Sequence, residues 1–386
     1  LGSNPDNRRR PYIVPERELP TGKGGELEQY ASEHWRERLV QFAEVKNTVD
    51  WVNPDFPNLP FRIEEGKSTP LGMFAEMSFP TELHRRLKQD SEGRCLLEVS
   101  PEHRRSTLLG RVIFQDAQGN LYRDVDIKGI GSIEFPRFFS GSKNAHVTQP
   151  GGELDYTLGK RGLLDYNLAL YDRDTSEAFL RAGISTSRTV GIIKLEELLV
   201  DEKRVGLEEV RNRGLLDPSF QPVLEMRAFG TKTRIQDLES HENPELLLND
   251  ARALVSQMVQ QKGDIHLSYP DYFLWFAKTL GKNVAHMHEN GWHHDFLTPH
   301  NITLDARIVD LDSVGDLTTE RGRNGDWTAA RGSLSMFASL VAEMRRAKFG
   351  ELSTLMRETF ERSYDEVFPQ EARKRYFANT KREAAA

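Results

Sequence analysis

The sequence predicts an α+β fold in two lobes, β-rich in its first half and helical in its second. Three observations carry this expectation. β-patterned runs and a hairpin signal fall before residue 232. Long stretches of helical periodicity follow Asp237. Strands and helices that segregate along a chain mark the α+β class, and 386 residues exceed what one small module needs. Bulk composition narrows the function classes. A net charge of −7 argues against nucleic-acid binding driven by overall charge. One cysteine, Cys95, excludes an intrachain disulfide framework and a Cys-rich zinc module, and fits a reducing compartment. No apolar run approaches the roughly 18 residues of a membrane span. Residues 1–11 are polar and Arg-rich, unlike a secretory signal. The expectation is a cytoplasmic protein without membrane association.

Taken in order, residues 1–25 carry Pro, Gly and charge without periodicity and are expected to form a flexible arm. Tyr30, Trp35, Leu39 and Phe42 recur at helical spacing, which predicts a helix over Tyr30–Val45. The Pro- and Asn-rich stretch from Val49 to Pro70 predicts a loop. Strands are expected over Cys95–Ser100, Leu108–Gln115 and Leu121–Lys128. The last two flank Asp116-Ala-Gln-Gly-Asn120, a hairpin signal with its glycine in place. Residues 141–162 predict a surface loop, and Leu163–Arg181 a helix capped by Gly183. Val190–Leu195 and Val223–Phe229 are further strands. Helices are expected over Pro244–Gln261, Tyr272–Glu289, Leu334–Arg346 and Leu352–Phe368. In the second of these, Phe273, Phe276, Leu280, Val284 and Met287 form one apolar stripe. The domains therefore run 1–25, 26–232 and 233–386: an arm, a β-rich lobe with an inserted helix, and a helical lobe.

The chemistry concentrates in residues 291–313. A helix ends at Gly291, a polar loop rich in His, Asp and Asn follows, and the short apolar run Ile308-Val309 leads to Asp310. This places the amide oxygen of Asn301 and the carboxylate of Asp310 at the two ends of a tight hairpin. Such an oxygen pair suits Mg²⁺, which takes one or two protein ligands together with phosphates and water. His293, His294 and His300 offer a competing reading as a metal cluster, against which stands a structural role in ordering the loop. Upstream, Lys128 closes a strand, where a lysine grips nucleotide phosphates in kinase-like folds. The next helix offers Asp172 and Glu177 to hold it. They are five residues apart, about 140° around a helix, so only one can face the lysine.

Several segments resemble, in order, the SelO (YdiU-like) family of kinase-fold protein adenylyltransferases. Lys128-Gly-Ile-Gly131 is similar to that family's Lys-Gly-Ala-Gly, and Arg137 falls on a family arginine. Ser176-Glu-Ala178 and Gly183-Ile-Ser-Thr-Ser-Arg188 resemble Ser-Glu-Ala and Gly-Ile-Pro-Thr-Thr-Arg. On this register Asp172 takes the place of the helix glutamate that pairs with the lysine. Arg227 and Arg234 repeat an arginine pair at the family separation. Residues 291–301 resemble Gly-Phe-Cys-His-Gly-Val-Met-Asn-Thr-Asp-Asn, and the step from Asn301 to Asp310 is also the family's. The matched region runs from about residue 120 to 315.

The resemblance implies a bilobal protein-kinase-like fold binding ATP and Mg²⁺. Lys128, Arg137, Arg227 and Arg234 would contact phosphates, and Asn301 and Asp310 the metal. The implied activity is transfer of AMP, or of phosphate, to a hydroxyl on a protein acceptor. Position 296, where an ordinary kinase keeps its base aspartate, is Phe; the family aspartate before the asparagine is His300. His300 and Asp295 are the candidate bases, histidine being a residue type that takes a proton near neutral pH. Two family arginines near Gly162 are replaced by Leu163 and Asn167. These departures motivate two rival readings. One is a catalytically silent pseudokinase that binds nucleotide or a partner protein. The other is a small-molecule kinase of the aminoglycoside-phosphotransferase type.

Overall fold

The computed structural model describes residues 39–74, 95–98, 106–131, 162–200, 203–241, 243–260, 267–345 and 348–383. The arm expected over 1–25, most of the loop expected over 141–162, and Arg137 lie outside the described residues. The chain divides into two compact units. One contains the described residues from 39 to 177 together with Ser187–Phe229, the other Ala178–Thr186 and the described residues from 230 onward.

The first unit is antiparallel β-structure. Its strands are β1 (Leu39–Glu44), β2 (Asn47–Val52), β3 (Met73–Phe74), β4 (Cys95–Glu98), β5 (Ser106–Gln115), β6 (Leu121–Lys128), β7 (Leu164–Asp165), β8 (Arg188–Leu195), β9 (Glu197–Val200), β10 (Lys203–Gly206) and β11 (Pro222–Phe229). Helix α1 (Tyr166–Arg181) and the short α2 (Leu207–Asn212) complete it, with the last turn of α1 counted in the second unit. The main sheet has the order β2-β8-β11-β6-β5, with β7 added to β11. A smaller sheet is ordered β3-β1-β4, and β9 and β10 form a hairpin.

Two sequence expectations fail here for a physical reason. The helix expected over Tyr30–Val45 is strand from Leu39 onward, paired with β4 from Leu39↔Glu98 to Phe42↔Cys95. Pairing with a neighbour satisfies the backbone and overrides local periodicity. The loop expected from Val49 begins instead as β2, laddered to β8. Its prolines all follow Asn53, so nothing removes an N–H from the ladder before that point. The β5–β6 hairpin forms where the sequence predicts it. Asp116 Oδ1 accepts from the backbone N–H groups of Gln118 (3.0 Å) and Asn120 (2.8 Å), and Gly119 takes φ +83°. Gly183, also left-handed at φ +77°, ends α1, and the Ile184 N–H returns to Phe179 O at 2.9 Å.

The sequence pattern of β6 predicts alternating faces, yet every residue from Tyr122 to Lys128 is buried. Both faces of β6 are covered, as are all eight residues of β11. The charges on β6 are therefore paired. Arg123 bonds Asp124 at 2.8 Å, Asp126 bonds Arg227 at 2.7 Å, and Lys128 bonds Asp172 at 2.9 Å. Buried charge is tolerated only in such pairs.

The second unit is helical: α3 (Asp237–Ser240), α4 (Pro244–Gln260), α5 (Tyr269–Glu289), α6 (Glu320–Arg345), α7 (Phe349–Val367) and α8 (Gln370–Glu383). A two-stranded ladder, β12 (Trp292–His293) with β13 (Gly315–Asp316), brackets the polar loop. Helix α5 starts three residues before the expected Tyr272. Ser268 caps it by accepting from the Asp271 N–H, and Pro270 fits its first turn. Its apolar stripe from Phe273 to Met287 is buried throughout. Phe276 meets Phe337 of α6 at 4.8 Å between ring centroids. Helix α6 begins well before the expected Leu334, because its first turns bury Asp326 and Ala330 rather than large apolar groups. No helix among the described residues is long and apolar enough to cross a membrane.

Candidate functional site

In the first unit, β6 and β11 lie in a register that sets Lys128 opposite Glu225 and Asp126 opposite Arg227. Lys128 Nζ reaches Asp172 Oδ2 on α1 at 2.9 Å. Of the two carboxylates that could face the lysine, Asp172 does so. Glu177 turns to Arg188, whose guanidinium donates to it at 2.7–3.0 Å, and to Asn53 Nδ2 at 2.9 Å. Gly129 and Gly131, the glycines after Lys128, adopt φ +97° and +96°. A Cβ on Gly129 would sit 2.4 Å from Val223 O, so the turn closes only without a side chain.

Glu225 completes this cluster and was not singled out from the sequence. It is fully buried, its Oε1 accepts from Thr189 Oγ1 at 2.6 Å, and its Oε2 finds no partner. Asp172 Oδ1 is likewise buried and unpartnered. Burial, followed by the charge of Asp172, pushes the Glu225 carboxyl up to about 8; Lys128 and Arg227 pull the other way. The available signal was a lone carboxylate inside the apolar strand Val223-Leu-Glu-Met226. Arg188 is a second buried anchor, bonded to Glu177, Asp116 and Asp55 and lying 4.9 Å from the Phe56 ring.

In the second unit the polar loop is fixed from below by Asp326 of α6. Its carboxylate accepts from the backbone N–H groups of His294 (2.7 Å) and Asp295 (2.8 Å) and meets His288 Nε2 at 3.2 Å. No sequence signal marked it, because an aspartate in a charged helical turn reads as solvated. Burial holds the His288 imidazole below its ordinary range, against the pull of Asp326. His294 is fully buried and bonds Val309 O through Nε2 at 2.9 Å, which ties the loop to the strand entering Asp310. That occupies the histidine structurally. Among the described residues no group of three or more His, Cys, Asp or Glu side chains is arranged to hold a metal.

The hairpin between Asn301 and Asp310 forms as the spacing predicts. Val309 N–H bonds Asn301 O at 3.0 Å and Thr303 N–H bonds Arg307 O at 3.1 Å. Asn301 Nδ2 donates to Phe296 O at 2.9 Å, which turns its Oδ1 the other way. Asp310 sits in the left-handed region at φ +62° and precedes a short 3₁₀ turn. Arg234 lies against both. Its Nη1 is 2.9 Å from Asp310 Oδ2, 3.5 Å from Asn301 Oδ1 and 2.5 Å from His300 O. The amide oxygen and the carboxylate thus converge on one positively charged nitrogen, and this donor set fits a small oxygen-seeking cation in kind.

The two candidate bases differ in setting. Asp295 takes φ +65° and its exposed carboxylate meets His293 Nδ1 at 2.8 Å. The His300 side chain is exposed, and Phe296 is 58% exposed at the position between helix and hairpin. Of the candidate phosphate ligands, Lys128, Arg227 and Arg234 are each ion-paired with a carboxylate.

A strand lysine paired with a carboxylate on the next helix, further strands, then helices and a hairpin bearing Asn and Asp is the element order of a protein-kinase-like fold. No family model matches the sequence, and no curated protein does. Solved structures do match. One is WaaP in complex with acyl carrier protein: 13% identity, TM-score 0.25, covering 70% of this chain and 88% of that one. Another is the Toxoplasma gondii specific rhoptry antigen kinase domain: 8% identity, TM-score 0.30, covering 76% and 84%.

Proposed function

We propose that the chain is an ATP-dependent transferase that moves AMP or phosphate to a hydroxyl, with a protein as the acceptor and the cytoplasm as its compartment. The observation that carries this reading is the buried Lys128–Asp172 pair between a strand and the helix after it. A charged pair in that place has no need of burial for stability alone, since an apolar pair of similar volume would serve. Lys128 and Arg227 hold phosphate oxygens in the first unit, and Arg234 does so in the second. Asn301 and Asp310 hold Mg²⁺, whose charge offsets that of the phosphates. The acceptor oxygen forms a bond to phosphorus as the bond to the leaving group breaks, and its proton passes to His300 or Asp295. The leaving group is diphosphate for AMP transfer and ADP for phosphate transfer. Catalysis is mainly positioning and charge neutralisation. The motif register with the SelO-like family supports AMP; Leu163 and Asn167, in place of two of its arginines, support phosphate.

A second reading, the pseudokinase, is supported by Phe296 and by the turn of Asp295 towards His293. Incubation of the chain with Mg-ATP and a protein acceptor, read by intact mass, separates the readings. Transfer gives an adenylyl or phosphoryl increment that Asp310→Ala removes. A rise in melting temperature with nucleotide but no mass change assigns the pseudokinase.

A further inference from the structure

The pair that the proposed function assigns to Mg²⁺ is engaged by a cation of the chain itself. Arg234 Nη1 stands within hydrogen-bond reach of Asp310 Oδ2 and His300 O and 3.5 Å from Asn301 Oδ1. Its Nη2 lies 3.4 Å from Asp310 Oδ1, so the guanidinium spans both carboxylate oxygens. The side chain is only 6% exposed and Asp310 30%. The arginine is also built into place. Its own N–H donates to Asp237 Oδ2 at 2.7 Å, and its backbone bridges to Thr303 of the hairpin. Arg234 Nε is buried without a partner, so the guanidinium has been turned to reach the carboxylate at the expense of one of its own donors.

A second cation on those oxygens would be repelled by the guanidinium already there. A divalent ion bound to Asp310 would lie within a few ångströms of the guanidinium, and at that range like charges repel. We infer that Arg234 is an exchangeable counter-ion: a tethered cation that holds Asn301 and Asp310 until a divalent metal takes its place. Resting on the metal reading above, this adds a regulation to it. Metal entry requires the guanidinium to leave, and an anionic ligand such as a phosphate offers it somewhere to go. In the resting chain the metal affinity is therefore set by Arg234 as much as by the two ligands. The arginine also keeps the Asp310 carboxylate neutralised when no metal is bound.

The test is Mn²⁺ binding to the full chain without nucleotide, followed by the electron paramagnetic resonance of the free ion. The wild type is expected to bind weakly, and Arg234→Gln at least about tenfold tighter, on the order of the effect of removing one unit charge at contact distance. Arg234→Lys keeps a cation but cannot span both oxygens, and should fall between them; it also serves if the glutamine variant does not fold. No gain in either variant overturns the exchange. Asp310→Asn, added to Arg234→Gln, is expected to abolish the gain. If Asp310→Asn abolishes binding but neither Arg234 variant changes it, the exchange falls and the metal reading stands. If the gain survives Asp310→Asn, the metal lies elsewhere and the assignment of Asp310 falls with it.

Discussion

Glu225 faces Lys128 across adjoining strands, and Asp172 and Arg227 supply the other charges around it. Its carboxyl is pushed from an ordinary 4.5 up to about 8, so the folded chain holds this proton to higher pH than the unfolded chain does. The linkage sign follows: the stabilising contribution is complete below about pH 4.5 and is lost as pH rises through about 8. Integrated over that window the loss is on the order of a few kcal/mol. Glu225→Gln keeps the shape and an acceptor for Thr189 but cannot ionise. Denaturant melts between pH 5 and 9 should therefore show a decline in the wild type that is flattened in the variant. Parallel pH profiles would remove Glu225 from the account. A residue of this kind is hard to read from sequence. The strand pattern reveals that Glu225 is anomalous, but the register that sets it beside Lys128 exists only once β6 and β11 pair. By contrast, the Asn301–Asp310 hairpin is local in sequence, and its spacing alone defines it.

Helices α5 and α7 approach closely at Gly281. A Cβ there would lie 2.5 Å from Phe360 O and 3.2 Å from Phe360 Cα, both backbone atoms that cannot swing aside. Alanine is the better helix former by about 1 kcal/mol, but overpacking against fixed atoms costs roughly 1–3 kcal/mol. The second effect should win, and Gly281→Ala is expected to lower the melting temperature; a rise would show that α7 yields. The same comparison explains which elements the sequence reveals. Helix α5 announces itself through five large apolar residues at regular steps. The first half of α6 and all of α8 do not: α6 opens with charge and two glycines before burying Asp326, and half of α8 is Lys, Arg and Glu, held by Tyr376 and Phe377. Tyr376 donates its hydroxyl to Leu317 O at 2.7 Å, a contact that periodicity has no means to register. Strand β1 fails differently. Its spacing fits a helix, and its pairing with β4 and β3 decides against one.

Across the whole molecule, the net charge of −7 opposes a polyanionic ligand. The candidate phosphate ligands Lys128, Arg227 and Arg234 carry their charge into pairs with Asp172, Asp126 and Asp310. On the proposed reading a nucleotide competes with carboxylates for these cations, and a divalent ion eases that competition by taking over one of the carboxylates. Coupling of this sort is reciprocal. ATP affinity measured by calorimetry is expected to be at least about tenfold weaker in the presence of a chelator than with Mg²⁺. Equal affinity in both would break the proposed link between metal and nucleotide.

Asp326 has a consequence for the order in which the chain acquires its form. It lies 31 and 32 residues after the loop N–H groups that it holds. During synthesis the loop from Gly291 to Asn301 is made before its anchor. Until α6 emerges, His294 and Asp295 lack the carboxylate that fixes their backbone, and the loop is free to sample other conformations. The geometry of this loop is thus among the last features a nascent chain of this sequence completes. A growing chain cut short before Asp326 would already contain Asn301 and Asp310 yet would lack the carboxylate that holds the His294 and Asp295 backbone.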